Sequence, residues 1–181
     1  MNDSRAAILL ERYLGWEQAL VVWANRLHRR RAARWVFGRA SRLGDGIGWY
    51  VLLALLLVVH GTEAALPAVA ALGSAVVGVG LYLLIKRVTA RPRPLDAHRG
   101  LDVSVAPLDK YSFPSGHTLH AVNFAAQIVA FDANWAWIAL PFAGMVMASR
   151  LVLGLHYLSD VLAGALLGGL IAATTLSLMG A

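Results

Sequence analysis

The feature that most constrains this chain is a series of long runs without formal charge: residues 46–62, 64–85, 115–131, 133–149 and 161 to the C-terminus. The hydrocarbon core of a bilayer takes roughly 20 apolar residues of helix to cross, and it offers no water to an unpaired peptide group. Runs of this kind predict helices, and a chain that is 59% hydrophobic and 14% charged predicts that they lie in a membrane. The expected fold is all-α: a polytopic membrane helix bundle of about five transmembrane helices plus an N-terminal amphipathic interfacial helix. Residues 1–45 then form an amphipathic helix and basic segment at the membrane interface, and residues 46–181 the transmembrane core. Gly73, Gly78, Gly80, Gly164, Gly168 and Gly169 are expected where helices touch. The absence of cysteine excludes disulfides and any thiol nucleophile or ligand.

Ahead of the long runs, residues 5–28 place Leu9, Tyr13, Trp16, Leu20, Trp23 and Leu27 at spacings of four and three, which makes one apolar stripe. Glu11, Arg12, Glu17, Gln18 and Arg26 fall off that stripe. Such a helix either lies in the interface or packs sideways on the bundle. Arg29, Arg30, Arg31, Arg34, Arg39 and Arg42 follow as a basic run, read as a solvated or headgroup-facing stretch. Leu43-Gly44-Asp45-Gly46 breaks the pattern before the first span. Ile8-Leu9-Leu10 is too short for a cleavable leader, so the first membrane helix is expected to act as an uncleaved anchor. A net charge of +6 in this setting points to anionic lipid headgroups and a phosphorylated substrate as partners, and away from nucleic acid.

Ionisable groups in so apolar a chain are costly unless they are paired or face a cavity, and that makes them the functional candidates. They form three clusters. Lys86-Arg87 leads into the proline-locked Arg91-Pro92-Arg93-Pro94, where rigid turns fix the direction of planar guanidinium forks suited to phosphate oxygens. Pro114-Ser115-Gly116-His117 marks a helix start, whose free N–H groups favour an anion. Ser149-Arg150 is followed by His156 and Asp160, which share a face if they stand on one helix. Asp160 can then hold one ring nitrogen of His156 and leave the other free to react, with Arg150 able to meet the anion attacked. Counting spans puts the 86–113 loop and the 150–156 turn on one side of the membrane and the 132–134 turn on the other, so the three clusters converge. Lone clusters of these kinds are commonly snorkelling helix ends, a capped turn or a structural ion pair. Their convergence favours an anion site.

Together the clusters resemble the three signature motifs of the type 2 phosphatidic acid phosphatase family, which is similar in its core to the vanadate haloperoxidases. The pattern of Lys, six residues, Arg-Pro matches Lys86 to Arg93-Pro94. Pro-Ser-Gly-His matches residues 114–117. Ser-Arg, five residues, His, three residues, Asp matches Ser149-Arg150, His156 and Asp160. The resemblance covers roughly residues 40 to 175. It implies that His156 attacks phosphorus to give a phosphohistidine, that Asp160 orients its ring, and that His117 protonates the leaving oxygen and later activates water. Lys86, Arg93 and Arg150, with Ser115 and the backbone at Gly116, are the implied phosphate-binding groups. These cations take the place of a metal, and no cofactor is expected; no cluster has the look of a magnesium or zinc site.

The resemblance implies a membrane lipid phosphate or diphosphate as substrate, of the undecaprenyl diphosphate, phosphatidylglycerol phosphate, phosphatidic acid or lipid A type, in a bacterial inner membrane. The loop residues Asp96, His98, Arg99, Asp102, Asp109 and Lys110 either touch the headgroup or are simply solvated. The family usually faces an outer compartment, yet fifteen of the sixteen basic residues lie in segments 1–42 and 86–110, which by the positive-inside rule argues for a cytoplasmic site. Both orientations stay open, as does oligomeric state. Alternatives to the phosphatase are a lipid phosphotransferase using the same intermediate and a catalytically silent lipid-binding component. A haloperoxidase is disfavoured by the membrane spans.

Overall fold

The computed structural model describes residues 2–98, 100–102, 104–107 and 109–180, with side chains from residue 12 onward. Arg99 and the side chains of Leu9 and Glu11 lie outside the described residues. Among those described, eight helices follow in order: α1 Asn2–Asn25, α2 Arg31–Gly44, α3 Ile47–His60, α4 Ala65–Thr89, the single turn α5 Pro94–Ala97, α6 Gly116–Phe131, α7 Ala136–Val152 and α8 Leu158–Met179. No strand occurs among the described residues. Three stretches are long and apolar enough to cross a membrane: Ile47–Ala97, Ala133–Val152 and Leu158–Met179, with mean hydropathy 2.2, 1.4 and 2.0. The first contains both α3 and α4, which are separated by a short 3-10 turn beginning at Gly61. The protein is an integral membrane helix bundle.

At its centre stands α6, packed against α4, α7 and α8. Its 16 residues rise about 24 Å at 1.5 Å each. Leu119, Ala121, Phe124, Ala125 and Ile128 are buried on it. Trp49 of α3, fully buried, stacks on Phe124 at 5.7 Å and meets Phe142 of α7 at 4.6 Å between ring centroids. Inside lipid such contacts act through close packing more than through release of water. A polar knot joins α4 to α6: Asn123 Nδ2 and Gln127 Nε2 donate to Ser74 Oγ at 2.9 and 2.8 Å, and Gln127 Nε2 also donates to Asn123 Oδ1.

α8 lies tightest against α6 because its contact face is glycine. A Cβ on Gly164 would stand 2.5 Å from the Ser115 carbonyl oxygen, and one on Gly168 would stand 2.3 Å from that of Leu119. Gly78 of α4 likewise abuts Leu119. Gly73 and Gly80 meet nothing within 4 Å, so these two are not packing positions, contrary to expectation.

From Arg31 the basic run forms α2, which packs along α7 through Ala40, Ser41 and Gly44 and turns its arginines outward, where they are exposed. The apolar stripe of α1 faces away from the bundle, with Tyr13, Trp16 and Trp23 about half exposed. The face turned inward to α7 and α8 carries Glu17, Val21, Ala24 and Asn25. The outward stripe agrees with the interfacial alternative more than with sideways packing through that stripe, while the polar groups of the opposite face find partners within the bundle.

Candidate active site

Four segments meet to build the site. The last turn of α4 brings Lys86, which is inside the helix and not in the loop after it. The extended stretch Arg91–Arg93 that follows brings Arg93. The first turn of α6 brings Gly116 and His117, and the end of α7 with the turn to α8 brings Arg150 and His156. With Pro107 and Asp109 of the long loop, these six line one cavity of about 10 Å³. Ser115 and Asp160, also expected at the site, stand behind that lining and not in it.

His156 is the most sharply oriented group of this arrangement. Its Nε2 faces the cations, 3.2 Å from Arg93 Nη1, while its Nδ1 lies 3.4 Å from Asp160 Oδ2 without a formed hydrogen bond to it or to any other of the described residues. The two residues do not share a helix face. Asp160 is in the first turn of α8, and its Oδ2 accepts from the Tyr157 N–H at 2.9 Å, which closes a capping box. His156 sits in the turn before it, after Gly154 at φ +67. The i, i+4 spacing thus brings the pair together through a cap. Burial first, and then the charges of Arg150, Arg93 and Lys86, hold the His156 pKa well below its ordinary 6.5. The ring is therefore neutral near pH 7, which is the form of a nitrogen nucleophile.

The cations are aimed inward and partly answered. Lys86 Nζ donates to both carboxylate oxygens of Asp109, at 2.7 and 2.8 Å, and to the Tyr111 carbonyl. Arg93 donates to Asp109 Oδ1 at 2.7 Å and to the Leu155 carbonyl at 2.9 Å. Burial pushes the Asp109 carboxyl up, but the two ion pairs outweigh it and bring its pKa below the usual range. Arg150 is 2% exposed; its Nη1 donates to Ser41 of α2, and its Nε has no partner among the described residues. Three cations stand against one carboxylate, with buried donors to spare, and an anion is what such a cavity accepts.

Ser115 does not offer its polar groups to the cavity. Its Oγ caps α6, accepting from the Thr118 hydroxyl at 3.0 Å and the Thr118 N–H at 3.4 Å, and its N–H donates to the Asp160 carbonyl at 3.0 Å. The N–H groups of Gly116 and His117, which the first turn of a helix leaves without acceptors, are the ones free for an anion there. His117 Nε2 pairs with Asp45 from the corner between α2 and α3.

Asp45, Asp109, Ser41 and Arg91 all reach the site or its immediate backing; Asp45 and Ser41 do not stand out for it in the sequence, and Arg91, there a guanidinium suited to phosphate, turns to carboxylates instead. Asp109 reads there only as a loop residue beside the headgroup. Arg91 donates to Asp160 Oδ1 at 2.7 Å. Beyond His117 a larger cavity of about 280 Å³ opens between α3, α4 and α6, walled by Tyr50, Leu72, Ala75, Val76, Val79 and Phe124 and sharing Asp109, Gly116 and His117 with the smaller one.

The PAP2 superfamily model matches residues 64–181. An undecaprenyl-diphosphatase of Sulfolobus acidocaldarius is 31% identical over 129 residues, 71% of this chain and 62% of that protein. A decaprenylphosphoryl-5-phosphoribose phosphatase of Mycobacterium tuberculosis is 32% identical over 127 residues, 70% of this chain and 69% of that protein. This chain thus spans less than two thirds of the Sulfolobus relative. In fold, it is similar to the transmembrane PAP2-type phosphatidylglycerolphosphate phosphatase of Bacillus subtilis, with TM-score 0.73 and 23% identity over 97% of this chain and 90% of that one. LpxE of Aquifex aeolicus gives TM-score 0.71 and 24% identity over 88% and 93%. A family model that covers most of the chain, including all three motifs gathered around one cavity, leaves no other home for it: the chain belongs to the PAP2 superfamily.

Proposed function

We propose that this protein hydrolyses the phosphomonoester or diphosphate of a membrane lipid through a phosphohistidine on His156. The observation that carries the reading is the facing of His156: Nε2 toward the Arg93 cation and the cavity, Nδ1 toward Asp160. The Nε2 lone pair attacks phosphorus and the bond to the lipid oxygen breaks, with His117 giving that oxygen a proton. His117 then takes a proton from water, whose oxygen attacks the phosphohistidine; inorganic phosphate leaves and His156 is restored. Lys86, Arg93 and Arg150, with the N–H groups of Gly116 and His117, hold the equatorial oxygens as charge develops. Asp160 accepts a hydrogen bond from the Nδ1 proton and stabilises the charged ring.

A cavity of about 10 Å³ holds no more than one water, far less than a phosphoryl group. In this reading the incoming phosphate displaces the Asp109 carboxylate from Lys86 and Arg93, taking over its hydrogen bonds. The adjoining apolar-walled cavity supports entry of a lipid chain between α3 and α4. α3, α4, α6, α7 and α8 are then the five membrane spans, with α6 shielded from lipid by its neighbours. The relatives that carry a prenyl lipid in their names favour a prenyl-linked phosphate among the candidate substrates.

The test is phosphate release by purified protein in detergent containing EDTA, with undecaprenyl diphosphate, phosphatidylglycerol phosphate and phosphatidic acid offered separately, beside His156→Ala. Release by the wild type and none by the variant is the expected result. Silence of the folded wild type on all three lipids, or activity that only added magnesium restores, overturns the reading.

A further inference from the structure

The first helix carries a glutamate that falls off the apolar stripe in the sequence and that the structure buries completely. Glu17 is 0% exposed. Its Oε2 accepts from Arg91 Nη2 at 2.8 Å and its Oε1 from the Ser159 N–H at 2.7 Å, at the start of α8. The same guanidinium turns its Nη1 to Asp160 Oδ1 at 2.7 Å and to Ser159 Oγ at 2.6 Å, and lies 4.2 Å over the Tyr157 ring. Arg91 is thus a bridge between two buried carboxylates, and the far one is the partner of His156. The two oxygens of the Asp160 carboxylate divide their contacts: Oδ1 accepts from Arg91, while Oδ2 accepts from the Tyr157 N–H and faces His156.

We propose that Glu17, acting through Arg91, is a positioning residue that sets the direction and the effective charge of the Asp160 carboxylate at His156. The inference rests on the phosphohistidine reading above and extends it into α1, outside the matched family segment of residues 64–181. Two carboxylates share one guanidinium, so the trio keeps one net negative charge beside His156. Without Glu17, the whole charge of Arg91 falls on Asp160, weakening the pull of Asp160 on the Nδ1 proton when the ring becomes charged. A planar fork held on both prongs also cannot rotate, so Oδ2 stays turned to the histidine. A helix cap alone does not require this: Glu17 could cap α8 through Ser159 with no arginine between it and Asp160.

The experiment compares wild type, Glu17→Gln, Asp160→Asn and the double variant in detergent, measuring kcat and KM for phosphate release and the rate of phosphoenzyme formation in a single turnover. Gln keeps the shape and the Ser159 acceptor and removes the charge. We expect kcat and the phosphorylation rate to fall ~10–100-fold, by comparison with the outer groups that orient metal-bound histidines, with KM within ~3-fold. In the Asp160→Asn background the same change is expected to cost little further, since its route of action is already gone. Arg91→Gln removes the fork but leaves Asp160 its full charge, so a fall in kcat and phosphorylation rate there isolates the orienting part of the role and covers the case in which Glu17→Gln fails to fold. Unchanged kcat in the folded variants, or losses that multiply in the Asp160→Asn background, overturns the inference while leaving the phosphatase intact. Absence of release by the wild type removes the reading beneath it as well.

Discussion

The site holds two histidine–carboxylate pairs that are built in opposite ways. His156 and Asp160 are close in sequence, with side chains 3% and 0% exposed, and their carboxylate is held on both oxygens by Arg91 and the Tyr157 N–H. His117 of α6 and Asp45 of the turn between α2 and α3 are far apart in sequence, are 13% and 32% exposed, and border the larger cavity. The difference follows the two roles proposed for them. A nitrogen that forms a bond to phosphorus gains from a dry, rigid setting in which water cannot compete and the charge that develops meets fixed partners. A nitrogen that passes protons to a leaving oxygen and from water must stay in reach of both.

This contrast can be broken at either pair. The largest effect is expected at Asp160→Asn, where kcat falls on the order of 10³–10⁴-fold, as for other carboxylates behind a working histidine, in an assay of lipid phosphate release. Next comes His117→Gln, which lowers kcat for the lipid about 10²–10⁴-fold. With p-nitrophenyl phosphate, whose leaving group needs no proton, His117→Gln is expected to leave the rate of phosphoenzyme formation nearly unchanged while turnover still falls, because His117 also takes the proton from water. Asp160→Asn is expected to slow phosphoenzyme formation from both substrates, and an equal slowing of that step by His117→Gln on the two substrates sinks the assignment of the acid. Asp45→Asn is smaller, about 10-fold in kcat, by comparison with outer carboxylates of metal-bound histidines. A loss as deep as that at Asp160 erases the distinction between the pairs.

The pH dependence separates the pairs again. Burial and three neighbouring cations lower the His156 pKa well below 6.5, so the nucleophile stays unprotonated as pH falls through 6.5. No acid limb from His156 is expected in kcat/KM above that value, and a limb at 6.5 or higher that moves in a charge variant of Arg150 counts against the arrangement. The sign for stability is the reverse of a salt-bridged histidine: the unfolded chain takes up the proton first, so His156 costs stability as pH drops below 6.5. The smallest effect is at Asp109→Asn, which frees Lys86 and Arg93 of a competing carboxylate. Inorganic phosphate is expected to inhibit this variant a few-fold more strongly, read as a lower inhibition constant.

Much of this is legible in sequence where the information is local. Ser115 as the α6 cap, α6 ending at Phe131, and the meeting of Lys86, Arg93, His117, Arg150 and His156 all follow from span counting and short spacings. What escapes lies between elements far apart in the chain. Asp45 reads as part of a turn, Asp109 as a loop charge and Glu17 as a position off the apolar stripe, because nothing in a residue's own neighbourhood says which distant helix will face it. The arginines of α2 hide a helix, since their composition matches a solvated stretch equally well. The spacing rule behind His156 and Asp160 finds the right pair for a wrong geometric reason: a capping turn and a helix face both bring such residues together.

The glycine face of α8 has a consequence for tolerance. Main chain touches main chain at Gly164 and Gly168, and the Ser115 N–H is tied to the Asp160 carbonyl. The gap between the helix that carries His117 and the one that carries Asp160 is thus gauged by peptide groups, whose dimensions no substitution alters. Side chains elsewhere on the outer surfaces can drift to suit a thicker or thinner bilayer without moving one half of the chemistry against the other. A single methyl at Gly164 acts as a shim in that gauge, and everything the two helices hold is then out of true by the same amount.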